Sequence, residues 1–477
     1  MANPDAIVVG AGPNGLTAAI VMARAGLAVE VYEAAEEPGG GVRTMELTLP
    51  GFRHDVCASI FPMAYCSPIL RTFPLEQFGL KWLWSPAALA HPLNDGAAVF
   101  EVGIEETARQ FSADDAEVYR AIFGSAREAL RALLDRGIAG LVPKFGSVAM
   151  LGLKAAGSGA GLCRKFESER ARALIAGMTG HSMLPLTKAA TAGVAMALMA
   201  AGHVGGWPFP EGGAQSLTSA LVAYLRSLGG EVRTGVRVQS LRGLPNAKAV
   251  LLDVGPKQVL QICGEELPSM YRSVLQNFRY GPGAFKVDWA LSEPVPWRSK
   301  EVARAATVHV GGPMDEVVAS EREAWFGRVA EKPFVLAAQH TLFDNTRAPD
   351  GKHTFWGYCH VPNGCEVDMT ERIEAQIERF APGFRDCILE RSVKSPSAMQ
   401  IHNENYVGGD IGAGAMDIWQ LAVRPSLRYW STPLDRVFLC SASTPPGAGV
   451  HGMCGYFAAR VALKKRFGVE ALSLFGA

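Results

Sequence analysis

The sequence has no excess of either charge: 46 Lys and Arg face 46 Asp and Glu, for a formal net charge of zero. A neutral chain lacks the global field that gathers nucleic acid, so no nucleic-acid partner is expected. It has no CxxC pair either. Its cysteines stand scattered and odd in number at 57, 66, 163, 263, 359, 365, 387, 440 and 454, which argues against a zinc ribbon, a redox dithiol and a secreted disulfide framework. His340, His353 and His360 lie too far apart in sequence for a tight ligand pair, so no metal is expected. No basic stretch leading into an apolar one follows Met1, so no secretory signal is expected. Residues 189–201 are too few to span a bilayer, and 137–161 are interrupted by Pro143, Lys144 and Lys154. These absences point to a cytoplasmic protein whose membrane contact, if any, is peripheral and made through 137–161.

What is present is a chain of 477 residues, 48% apolar and 19% charged, long enough for two or three domains and able to bury a large core. Ala6-Ile7-Val8-Val9 reads as a short buried parallel strand running into Gly10-Ala11-Gly12-Pro13-Asn14-Gly15. A helix to Ala25 follows, closed by Gly26, and then a strand over 28–32 with Glu33 at its end. Strand, GxGxxG, helix, strand and acid in this order form a dinucleotide-binding unit. Gly10 permits the tight turn, Gly12 lets backbone reach a pyrophosphate, and Gly15 lets helix and strand pack closely. The helix, read from Leu16, offers free N–H groups at its N-terminus to the phosphates, and Pro13 and Asn14 just before it are expected to contact the cofactor. Glu33 accepts from ribose hydroxyls.

The choice between NAD and FAD rests on what comes next. Pro38-Gly39-Gly40-Gly41-Val42-Arg43-Thr44 brings backbone close to an extended ligand a second time at Gly40 and Gly41, and Arg43 can reach its phosphates. NAD does not need this second contact, whereas FAD lying across the domain does. FAD is the expected cofactor.

Glu33, the glycines at 39–41 and Arg43-Thr44 resemble the signature of FAD enzymes related to flavin amine oxidases and phytoene desaturases. The stretch from Ser441 through Pro445-Pro446-Gly447-Ala448-Gly449-Val450-His451-Gly452 is similar to the C-terminal flavin motif of the phytoene-dehydrogenase-like branch. That resemblance implies contacts from Ser441, Gly449, Val450, His451 and Gly452, with N–H groups of 450–452 facing the flavin C2 carbonyl. It also implies a backbone contact from Val238 to the adenine side. The expected fold is α/β: a Rossmann-type FAD domain assembled from residues 1–90, 205–285 and 425–477, with a second α+β substrate domain. The latter is built from 91–204, expected to be helical, and 286–424, with strands over 334–339 and 354–360 and a helix over 370–380.

The resemblance implies an FAD-dependent dehydrogenase or desaturase that passes hydride to flavin N5 from a largely apolar small molecule and then electrons to oxygen, a quinone or another acceptor. An amine or amino-acid oxidase, a redox-neutral isomerase and a non-catalytic FAD-binding protein stay open beside it. Two side chains are candidates for the chemistry. Lys286, flanked by apolar residues in Gly283-Ala284-Phe285-Lys286-Val287-Asp288, resembles the lysine that in related amine oxidases holds a water against N5, and is expected to face the flavin; a strand-edge lysine with its head in water is the alternative. His451 touches ring or substrate, or else serves its own turn. His181 reads first as a helix cap and second as a pocket residue. Arg424 reads as a substrate-orienting group or a partner for a carboxylate.

Overall fold

The computed structural model describes residues 3–136 and 145–471. Its first sheet has five strands in the order Val437–Leu439, Ala249–Leu252, Ala6–Val9, Val29–Tyr32, Glu231–Arg233, and every pairing is parallel. All four residues of Ala6–Val9 and of Ala249–Leu252 are buried, as in a parallel sheet covered on both faces. The chain leaves Ala6–Val9 to one side through the helix Pro13–Arg24, while Ala249–Leu252 lies on the other. The strand order therefore reverses at the carboxyl end of Ala6–Val9, where α/β sheets open a ligand crevice. The helices Pro13–Arg24 and Met453–Ala462 cover one face. Gly455 sets their approach: a Cβ there would stand 2.0 Å from the Asn14 carbonyl.

The second sheet has seven strands in the order Ile388–Lys394, Gly283–Leu291, His353–Val361, Val335–Ala338, Ala305–Val310, Ala87–Leu93, Gly96–Phe100. All pairings are antiparallel except Ala305–Val310 with Ala87–Leu93. Alternation divides its faces. Val287, Trp289, Phe355 and Ala337 pack under the helix Thr370–Phe380, while Lys286, Trp356, Tyr358, Leu336, Thr307 and His309 fall on the opposite face by register. Helices including Ala113–Tyr119, Ser125–Arg136, Glu169–Gly180 and Thr191–Gly205 lie over that side.

Strands at Val335–Ala338 and His353–Val361 and a helix at Thr370–Phe380 stand where the sequence places them. The strand Glu231–Arg233 ends five residues before Val238. Gly235 turns the chain at φ +68, and the N–H groups of Gly235 and Val236 bond back to Ala35 and Glu33. The hairpin of Ala87–Leu93 and Gly96–Phe100 joins the mixed sheet, so the chain crosses between sheets before residue 90. No helix among the described residues is long and apolar enough to cross a membrane. Of the stretch 137–161, residues 137–144 lie outside the described residues.

Candidate active site

A cavity of about 1010 Å³ runs from the Rossmann crevice to the inner face of the mixed sheet. Its first limb is a backbone cradle. Gly10 turns at φ +101, and a Cβ on Gly12 would stand 2.8 Å from Asp253 Oδ2. A Cβ on Gly40 would come 3.2 Å from the Gly12 Cα, so the two glycine clusters face each other. Pro13, Asn14, Glu33, Gly41, Arg43, Val238, Ser441, Gly449 and Val450 line the same limb. It gathers most of the residues expected to hold a cofactor.

Glu33 is already engaged: one oxygen accepts the Ala11 N–H at 2.7 Å and the other the Ala35 N–H at 2.9 Å. Each oxygen keeps a lone pair for a further donor. Arg43 lies 3.8 Å from Glu33 with its Nε unpaired. The Asn14 and Gln258 side-chain oxygens, also on this limb, are buried without partners. Buried polar atoms of this kind are costly unless a ligand or water completes them. A glycine cradle closed to any Cβ, with unpaired donors and acceptors beside it, fits a dinucleotide such as FAD. Asp253 is a residue that the motif does not announce: its Oδ2 accepts the Gly15 N–H at 2.9 Å, and burial pushes its carboxyl well above the usual range.

Three residues expected to hold the cofactor sit just behind the wall. Gly15 does not line the cavity; a Cβ there would meet the Gly10 carbonyl at 2.1 Å, so it serves packing. Gly452, at φ +66, starts the helix Met453–Ala462 and abuts Thr17. His451 is buried, and its Nδ1 accepts the Met453 N–H at 3.1 Å while Ser67 Oγ donates to its carbonyl at 2.6 Å. Burial lowers its pKa to about 4. The ring serves the helix start.

Lys286 is 2% exposed, and its ammonium donates to both oxygens of Asp288, two residues on along the same strand face. Its Nζ stands 5.3 Å from the centre of the Trp356 ring, and Trp356 lines the cavity. His54 Nδ1 lies 3.5 Å from Asp288 Oδ1, and burial lowers the His54 pKa to about 4. Two residues apart on a strand means one face; that spacing was the available sign that Asp288 pairs with Lys286.

The second limb is lined by Ile60, Phe61, Met183, Leu198, Trp207, Leu336, Trp356, Tyr358 and Met416, with His181 among them. The Trp356 and Tyr358 rings lie 5.7 Å apart at 22°. His181 caps the helix Glu169–Gly180 and also reaches the cavity. Arg424 does neither of the things its sequence suggests. It is fully buried, and its guanidinium donates to the carbonyls of Gly412 and Ala413 at 2.9 and 2.7 Å, shaping a loop of the cavity wall.

Residues 8–73 match the family model of an NAD(P)-binding Rossmann-like domain. Over 96% of this chain and 93% of the relative, the sequence is 24% identical to pyridine nucleotide-disulfide oxidoreductase domain-containing protein 2 of Mus musculus. It is 23% identical to the lycopene-forming phytoene desaturase of Pantoea ananas, over 94% of this chain and 96% of that one. In fold it is like putrescine oxidase solved with putrescine bound, with a TM-score of 0.61, 17% identity, and coverage of 97% and 98% of the two chains.

Proposed function

As a Rossmann-fold oxidoreductase of the amine oxidase/phytoene desaturase superfamily, the protein, we propose, uses FAD to dehydrogenate a largely apolar small molecule. The observation that carries this reading is the chemistry of the second limb. Its lining is mostly aliphatic, sulfur-bearing and aromatic, and among the described residues the cavity's Asp and Glu side chains stand at the Rossmann end: Glu33 and Asp253 beside the glycine turn, and Glu404 paired with Arg237.

Bound FAD supplies the hydride acceptor, and the substrate's neighbouring carbon gives up a proton to complete a double bond. The chain's own part is placement. The N–H groups of Gly12 and Asn14, at the start of Pro13–Arg24, would hold the diphosphate, since those of Gly10, Ala11 and Gly15 bond to Tyr32, Glu33 and Asp253. Glu33 takes the ribose, and Arg43 adds charge to the phosphate side. The bare loop of Gly449 and Val450, just before the helix Met453–Ala462, would hold the flavin end of FAD. Trp356 and Tyr358 set the flat wall against which an apolar substrate lies. Lys286, paired with Asp288 behind Trp356, keeps a fixed ion pair beside the reacting region. Electrons leave to a diffusible acceptor.

Amine oxidation is a second reading, favoured by the stacked faces of Trp356 and Tyr358, which attract cations, and by the fold shared with putrescine oxidase. Anaerobic mixing of the yellow protein with hydrocarbons, terpenoids and amines tests both. Bleaching of the flavin band by apolar compounds supports dehydrogenation. Bleaching by amines alone, with hydrogen peroxide released in air, replaces it with the second reading.

A further inference from the structure

Three histidines at the end of the second limb have no part in holding FAD. His181 Nε2 and His309 Nε2 are 2.9 Å apart, and His91 Nε2 lies 2.7 Å from the Gly312 carbonyl. A carbonyl only accepts, so His91 carries its proton on Nε2 and leaves Nδ1 bare. The Nδ1 atoms of His91 and His309 are both buried without partners. Gly177 faces them: a Cβ on it would stand 2.7 Å from His309 Nδ1 and 2.9 Å from His91 Nδ1.

The tautomers follow from burial. An orphaned N–H inside a protein is rarer and costlier than an unused lone pair. His309 therefore leaves Nδ1 bare and donates from Nε2 to His181 Nε2. His181 must then carry its own proton on Nδ1, and His181 is the one of the three rings that lines the cavity. Burial holds all three rings neutral, His181 at about 3 and His91 at about 4, so the donor is an uncharged N–H. Thr307, two residues before His309 on the same strand face, also lines the cavity, and its hydroxyl is buried without a partner.

We propose that this end of the cavity binds an oxygen of the substrate, a carbonyl or hydroxyl, which accepts from His181 Nδ1–H beside the Thr307 hydroxyl. The inference rests on the apolar-substrate reading and adds a polar end to it. It also fixes a length. Lys286 is paired with Tyr358, Tyr358 with Leu336, and Leu336 with His309, so His309 lies three strand spacings, about 14 Å, from the lysine. The substrate is an elongated, oxygen-tipped apolar molecule held at its far end from the reacting carbons. His309 and His91 are positioning residues that set the tautomer of His181.

Headspace partitioning of 2-nonanone and of nonane over the purified holoprotein tests this without any turnover. The expected result is that His181→Phe weakens 2-nonanone retention about threefold to tenfold, the worth of one neutral hydrogen bond, and leaves nonane unchanged. His181→Gln, which keeps an N–H donor, restores most of it. Gly177→Ala, whose new methyl displaces the two rings without entering the cavity, weakens the ketone selectively as well. Equal effects on ketone and hydrocarbon, no effect on either, or no retention by the unaltered protein would overturn the proposal. A colourless preparation instead defeats the FAD reading, which the retention of a ketone does not depend on.

Discussion

Arg347 Nη1 donates to Asp55 Oδ2 at 2.7 Å, joining the mixed-sheet side of the molecule to a strand beside the Rossmann loop, with both side chains 1% exposed or less. Asp344 at 3.1 Å completes the pair, and Ser59, Thr44 and the Ala214 N–H fill the remaining oxygen sites of Asp55. Ser59, which donates to Asp55, lines the cavity. Breaking one partner of such a pair strands a buried charge, at a cost of about 3–5 kcal/mol. Arg347→Met should therefore lower the thermal midpoint by several degrees or more, measured by scanning calorimetry. The double variant Arg347→Met with Asp55→Asn should recover part of the loss.

Acid should destabilise the protein in two windows. His54 and His451 at about 4, and His340 at about 3, are held neutral by burial. The unfolded chain takes up those protons near pH 6.5, so stability is full above that value and falls as pH drops from 6.5 towards 4. The Arg347 guanidinium and its hydrogen bonds hold Asp55 well below the usual carboxylate range. Its contribution is present above about pH 4 and is lost only below that. Urea midpoints measured from pH 7.5 to 4.5 should decline, and His54→Asn should flatten the slope.

Gly41 sits where any side chain meets Tyr406: a Cβ would stand 2.1 Å from the hydroxyl oxygen. Gly41→Ala should weaken FAD retention at least tenfold, read as flavin lost on gel filtration. Adding Tyr406→Phe, which removes the colliding oxygen, should return most of the binding.

Lys286→Met should slow flavin reduction or its reoxidation, or both, in stopped-flow traces, and should also lower stability by leaving the Asp288 carboxylate unpaired. Lys286→Met with Asp288→Leu separates the two: stability should return while the rate defect stays. Unchanged rates in both variants would show that the ion pair is structural alone.

The two ends of the chain were the most readable. Gly10 to Glu33 and Ser441 to Gly452 are contiguous; spacing exposes the turns and close approaches of the first, and the family resemblance those of the second. Side-chain partnerships across the sheet were not readable. His181 meets His309 across 128 positions and Ser59 meets His340 across 281, pairings that depend on strand register and leave no local mark. Lys286 stands between these cases. Its partner lies two residues on, within reach of the period-2 rule, while its place relative to a flavin rests on the resemblance to amine oxidases. Val238 shows the opposite limit: its place beside the cavity was legible, while the turn at Gly235 that ends its strand was not.

The visible absorption spectrum of the purified protein, followed by chromatography of whatever pigment heat releases, tests the central claim most directly. The account predicts the two bands of an oxidised flavin and release of FAD in near-equal amount to protein. A preparation that is colourless, and stays so after incubation with FAD, contradicts it.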